Sequence, residues 1–218
     1  DLVGDEVGIP LYFLGRAAKS SGIKVVQVGE GSDELFYGYD HWNRLLKLSE
    51  FIKPYSSSNN KFSKFRNHRM NLLSNMIFGK TTFAGGALGF NLGEISSLIS
   101  DKGLLETGLV RHVDNKWQEY FKKPDAKLSK WMTLIDLKIR LPELLLMRMD
   151  KLVMQSGVET RVPFLDHKFI EFILSIPENL LLPNYSGKPI LKQAAKNYLP
   201  SEIIHRKKQG FRAPVGEW

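Results

Sequence analysis

A chain of 218 residues, 43% hydrophobic and 25% charged, carries enough apolar side chain to bury one sizeable core or two small ones. It has no cysteine, which excludes disulfide frameworks, thiolate metal sites and cysteine nucleophiles, and the histidines at 41, 68, 112, 167 and 205 never pair at metal-ligand spacing. The net charge of +8 is spread along the chain, and its one local concentration, His205-Arg206-Lys207-Lys208, is too short for a nucleic-acid stripe.

In chain order, Ile9 to Ser20 reads as a helix: Pro10 suits a first-turn position, Leu11, Leu14 and Ala18 keep helical spacing, and Gly22 supplies a left-handed terminator. Ile23-Lys24-Val25-Val26-Gln27-Val28 is short, β-branched and mostly apolar, which predicts a parallel strand covered on both faces. Gly29-Glu30-Gly31 breaks that strand, and Ser32-Asp33-Glu34 opens another helix with Ser32 as its cap. The loop therefore sits at the carboxyl end of a parallel strand, where open α/β sheets bind ligands.

From Trp42 onward strand-like alternation nearly vanishes and helical spacing dominates. Residues 54–60 read as a mobile Ser/Asn-rich loop and 79–93, with Gly85-Gly86 and Gly89, as a second irregular stretch. Further helices are predicted over 96–99, 104–121, 128–139, 142–155, 167–174 and 188–198. The fold class is α/β and mostly helical, with an α/β part over 1–45 and a mainly helical part over 46–218.

Three constellations carry chemistry. In the first, Val28 to Tyr39, Gly29 and Gly31 let the backbone approach a nucleotide, and the amides of the following helix start favour phosphate oxygens. Glu30, Asp33 and Glu34 add hard oxygen ligands beside that site, which suits Mg²⁺ bound to a nucleotide. Composition alone fits equally well a strand-to-helix turn whose acidic residues complement the helix dipole.

The stretch Gly29-Glu30-Gly31-Ser32-Asp33-Glu34-Leu35-Phe36-x-Gly38-Tyr39 closely resembles the second nucleotide-site motif of the asparagine synthetase family. Where that family usually has Ser, this chain has Val28, which removes a side-chain hydroxyl contact and leaves backbone contacts available. Arg148-Met149-Asp150-Lys151 resembles the family's arginine-x-aspartate helix, and Glu159-Thr160-Arg161-Val162-Pro163-Phe164-Leu165-Asp166 its Glu-x-Arg-x-Pro-Phe-Leu-Asp segment. Glu159, Arg161 and Asp166 are expected to form an ion-paired frame over Pro163 and Phe164, so Arg148, Asp150, Glu159 and Arg161 are supporting residues. Arg206-Lys207-Lys208-Gln209-Gly210-Phe211 resembles the family's Arg-x-Lys-x-x-Phe segment, with Lys208 in register with the lysine that stabilises charge during adenylation.

The resemblance covers essentially the whole chain and implies the carboxyl-terminal part of an ATP pyrophosphatase-type synthetase domain. It implies ATP-dependent amidation of a carboxylate through an acyl-adenylate, most simply aspartate to asparagine. The implied cofactors are ATP and Mg²⁺, and the implied ammonia comes from glutamine hydrolysed by a separate amino-terminal domain. Glu30 and Lys208 are the catalytic candidates. Val28, Gly29, Gly31 and Asp33 are the nucleotide-binding ones, with Asp33 also the metal ligand.

The family's Ser-Gly-Gly-x-Asp-Ser pyrophosphate loop does not occur, no glutaminase is present, and the chain does not begin with Met. The expectation is a fragment, inactive by itself, of a cytoplasmic protein that pairs as a homodimer at full length and binds neither membrane nor nucleic acid. Two alternatives stay open: an amidotransferase for a sugar acid of surface polysaccharide, and a non-catalytic module that binds nucleic acid through its basic carboxyl-terminal segment.

Overall fold

The computed structural model describes residues 6–52, 68–86, 97–98, 109–208, 211, 213–214 and 217. The expected loop over 54–60, residues 87–93 of the irregular stretch, residues 96 and 99 of the expected 96–99 helix and residues 104–108 of the expected 104–121 helix lie outside them. The chain folds as two compact units, one made of Asp1–Tyr39 with Leu141–Trp218 and the other of Asp40–Arg140. This division follows contacts, whereas the division after residue 45 follows hydropathy periodicity. Among the described residues the architecture is mostly helical with one small parallel sheet, an α/β arrangement. No helix there is long and apolar enough to cross a membrane.

In the first unit, helix α1 (Gly8–Ser20) leads to strand β1 (Val25–Gln27), which pairs in parallel with β2 (Glu159–Arg161), Val25 opposite Glu159 and Gln27 opposite Arg161. The Val28 N–H extends the ladder by donating to the Arg161 carbonyl at 2.9 Å. Alternation along β1 turns Val26 toward the core and leaves Val25 exposed. That differs from the expected strand covered on both faces. The apolar run is present, but among the described residues only one face is packed, and Ile23 and Val25 stay 44% and 47% exposed.

The packed face meets Leu11 of α1 together with Met149, Val153 and Val158, with Val7, Ala18, Val28 and Leu152 around them. Met149, Leu152 and Val153 belong to the helix preceding β2. Full burial of such aliphatic side chains stabilises by roughly 1.5–3 kcal/mol each, so this cluster fixes the height at which β1 delivers its loop.

After β1 the chain turns through Gly31 into α2 (Ser32–Leu35), a single helical turn. Gly31 has φ +89°, and a Cβ built there would lie 2.3 Å from Leu165 Cδ2. Both the left-handed backbone and the lack of room require glycine. Gly31→Ala is expected to cost about 1–3 kcal/mol through strain and overpacking, read as a lowered urea midpoint at unchanged slope. The packing beneath the loop is aromatic: Phe36 meets Phe164 and Phe169 with ring centroids 6.2 and 6.3 Å apart.

The second unit contains α3 (Asp40–Phe51), α4 (His68–Ile77), α5 (Leu109–Tyr120) and α6 (Leu128–Ile135). Its core is built on tryptophans: Trp42 stacks edge-on with Phe83 at 5.3 Å, and Trp117 with Trp131 at 5.4 Å. The indole N–H groups of Trp117 and Trp131 donate to the carbonyls of Gly79 and Phe83, so the irregular 79–86 stretch is held by side chains rather than by a ladder. Asp136, fully buried, accepts from the Gly86 N–H at 2.8 Å and from Arg140 Nη1 at 2.9 Å.

Two helices with a break between them are expected over 128–155. The observed chain is continuous: α6 runs into a π-helical segment, Asp136–Leu146, and then into α7 (Met147–Met154). Pro142 lies inside it, with no N–H to donate and a ring that would strike the preceding turn of an α-helix. The wider π turn accommodates both, so the proline widens the helix instead of ending it.

Beyond β2 come α8 (His167–Ser175), α9 (Glu178–Leu181), α10 (Pro189–Ala195) and α11 (Ser201–His205). The expected helices at 167–174 and 188–198 match α8 closely and α10 in part.

Candidate functional site around Asp33

β1 ends one residue before Val28, and the turn that follows carries every candidate of the first constellation within unit one. Its three carboxylates, within five residues of one another, go to different environments. Glu30 is half-buried in the turn, Asp33 is half-buried on α2, and Glu34 is buried, accepting from the Tyr39 hydroxyl at 2.7 Å. A helical turn of about 100° per residue separates neighbouring side chains, so the acidic run does not act as one cluster. Among the described residues no three His, Cys, Asp or Glu side chains gather into a metal-binding group.

Asp33 is the centre of the site. Lys208 Nζ donates to its Oδ2 at 2.7 Å, joining positions 175 residues apart. Lys188 Nζ lies 2.8 Å from Oδ1, an ion pair rather than a directed hydrogen bond, and donates to Ser32 Oγ at 3.0 Å. Burial by itself pushes the Asp33 carboxyl up, but the two ammonium groups outweigh it and hold the carboxyl below its usual range. One carboxylate between two lysines leaves the group cationic, an electrostatic fit for phosphate oxygens. Lys208 also lies 5.5 Å from the Tyr39 ring centroid, where the ring face favours a cation.

Ser32 is expected as the cap of α2. Instead Gly31 occupies that position, no side chain caps the turn, and the Ser32 hydroxyl serves Lys188. Lys188 itself was not among the expected site residues. Its only sequence signal is that it opens the expected 188–198 helix, and nothing local distinguishes it from surface lysines.

The remaining candidates flank this centre. The Val28 N–H is committed to the Arg161 carbonyl, whereas a Cβ built on Gly29 would meet none of the described residues within 4 Å, which leaves room among them for a ligand against the backbone at Gly29. Arg148 is buried on α7 and Asp150 exposed on it. Arg161 pairs with Glu159 at the surface, but Asp166 is not in that frame: it caps α8, accepting from the Phe169 N–H at 3.1 Å. Phe164 and Leu165 pack beneath the glycine loop, the first against Phe36 and the second against Gly31. The Glu159–Asp166 segment thus supports the loop from below.

Comparison with known proteins agrees with the sequence motifs. The asparagine synthase family model matches residues 1–218. The chain is similar to asparagine synthetase [glutamine-hydrolyzing] 1 of Bacillus subtilis (strain 168), 28% identical over 226 residues, covering 100% of this chain and 35% of the relative. It is also similar to the amidase chyE of Penicillium rubens, 27% identical over 239 residues, covering 97% of this chain and 35% of the relative. No solved structure matches it. The chain spans about a third of the length of these curated relatives. Its full-length family match and the motifs gathered around Asp33 lead to one conclusion: this chain belongs to the asparagine synthase family.

Proposed function

We propose that this chain supplies one wall of the synthetase site of an enzyme that amidates a carboxylate at the expense of ATP. A carboxylate oxygen attacks the α-phosphorus, pyrophosphate leaves, and the acyl carbon becomes an electrophile with AMP as its leaving group. Ammonia, released from glutamine elsewhere in the full protein, then attacks that carbon, expels AMP and loses a proton to give the amide. The supporting observation is the contact of Lys208 with Asp33, which joins the two family motifs most distant in sequence.

In this reading Lys208 meets the negative charge that builds on the phosphoryl oxygens, where a fixed cation lowers the barrier. Val28, Gly29 and Gly31 bring backbone to the nucleotide, and Glu30 lies near the reacting acyl group. Mg²⁺, when bound, would supply charge neutralisation on the pyrophosphate. Asp33 would be its one carboxylate ligand, through the oxygen that Lys208 gives up on turning to a phosphate, with phosphates and water completing the shell.

Aspartate is the simplest acceptor. A different carboxylate is the second reading, favoured by a relative named as an amidase rather than an asparagine synthetase. Pyrophosphate release by the full-length protein, measured with aspartate and with candidate sugar acids, tests both. Aspartate-dependent release is expected; turnover that needs a sugar acid and ignores aspartate would remove asparagine synthesis.

A further inference from the structure

We infer that Lys188 is a positioning residue for Asp33, fixing one carboxylate oxygen so that the other stays directed at Lys208, the cation that meets the phosphate ligand. The inference rests on the synthetase reading and adds a residue that the motifs do not include.

Several independent contacts pin Lys188. Its backbone has φ 58° and ψ 40°, a left-handed conformation, directly before Pro189. A residue before proline prefers extended backbone, and a left-handed lysine persists only where its surroundings impose it. The imposing contacts are a backbone N–H donated to the Phe36 carbonyl at 2.9 Å and the ammonium held by both Asp33 Oδ1 and Ser32 Oγ. Gly38 closes the other side: a Cβ there would lie 1.8 Å from Asp33 Oδ1 and 2.3 Å from Lys188 Cε. The carboxylate and the lysine stem therefore occupy the space a side chain at 38 would need.

The two lysines at Asp33 differ in kind. The Lys188 side chain is 22% exposed and meets two side chains of α2, whereas that of Lys208 is 45% exposed, meets Asp33 at a single oxygen and otherwise lies over the Tyr39 ring. Both would be equivalent if the site needed only positive charge. The asymmetry suits a division in which Lys188 stays with the protein and Lys208 is free to exchange Asp33 for a phosphate oxygen.

The test is differential acetylation of lysines in the full-length protein, read by mass spectrometry as magnesium pyrophosphate is titrated. Wild-type Lys208 is expected to become protected as the probe binds. Lys188→Met keeps the aliphatic stem and removes the ammonium; it should raise the pyrophosphate concentration for half-protection about tenfold, the effect of losing one charge-assisted contact. Lys188→Arg, which restores the charge, should recover most of that shift.

Unchanged half-protection in Lys188→Met, with protection lost in Asp33→Asn, would overturn the role of Lys188 while leaving the synthetase reading intact. Protection unaffected in Asp33→Asn would overturn the inference, since Asp33 would then position nothing, and absence of protection in the wild type would remove both. Should the Met variant not fold, wild-type protein decides: without probe, Lys188 labelling at least about tenfold slower than Lys208 supports the inference, and equal rates refute it.

Discussion

Replacing Lys208 with alanine is expected to slow adenylation by roughly 10²–10³-fold, the range found when one fixed donor to developing charge is removed. The lysine is nearly half exposed, so its pair with Asp33 contributes little to folding, and the melting temperature should move by no more than a degree or two. The measurement is carboxylate-dependent exchange of labelled pyrophosphate into ATP by the full-length protein. A variant that keeps wild-type exchange would show that Lys208 is a surface cation. Lys207, one residue earlier and also exposed, is the matched control, and its alanine variant should exchange normally.

Asp136→Ala should destabilise the second unit by about 2–4 kcal/mol, because it strips the acceptor from the Gly86 N–H and leaves Arg140 without its buried carboxylate. Asp136→Asn keeps an oxygen for the amide and should cost clearly less. Burial raises the Asp136 carboxyl above the usual carboxylate range, against the opposing pull of Arg140 and the Gly86 amide. Arg140 also faces His41, whose imidazole is held below its usual range first by its own burial and then by Arg140 and Arg44.

The sign for Asp136 follows from its raised folded-state pKa. Its favourable contribution is complete below the unfolded carboxyl pKa and is lost as pH rises through the folded one. Urea unfolding of wild type against Asp136→Asn should therefore show the wild type gaining relative stability as pH falls toward about 4. A gap that widens in the opposite direction would mean that the ion pair with Arg140, not burial, dominates this carboxylate.

Much of the local structure was legible in the residues themselves. The apolar spacing and first-turn proline of 9–20 and the periodic run over 167–174 set α1 and α8 almost to the residue, since 3.6-residue periodicity is a local property. The glycine loop was legible for the same reason: Gly31 sits where the backbone must turn left-handed, and a β-branched run before it ends a strand. The family motifs then named Asp33 and Lys208 together without saying that they touch.

What sequence could not supply was the environment of each side chain. By composition and spacing alone Asp33 and Glu34 are equivalent neighbouring acids, yet one faces two lysines and the other is buried against Tyr39. Strand β2 has three residues, too few to show a period, and Pro142 reads as a break where a π turn absorbs it. Lys188 reaches Ser32 across 156 positions, and Lys208 reaches Asp33 across 175. Periodicity and turn chemistry act over one or two turns of backbone, so they determined which elements form. Which charges face one another was decided only when packing of α1 and α7 on the sheet, and of Phe164 and Leu165 under the loop, brought the two ends of the chain to the same carboxylate.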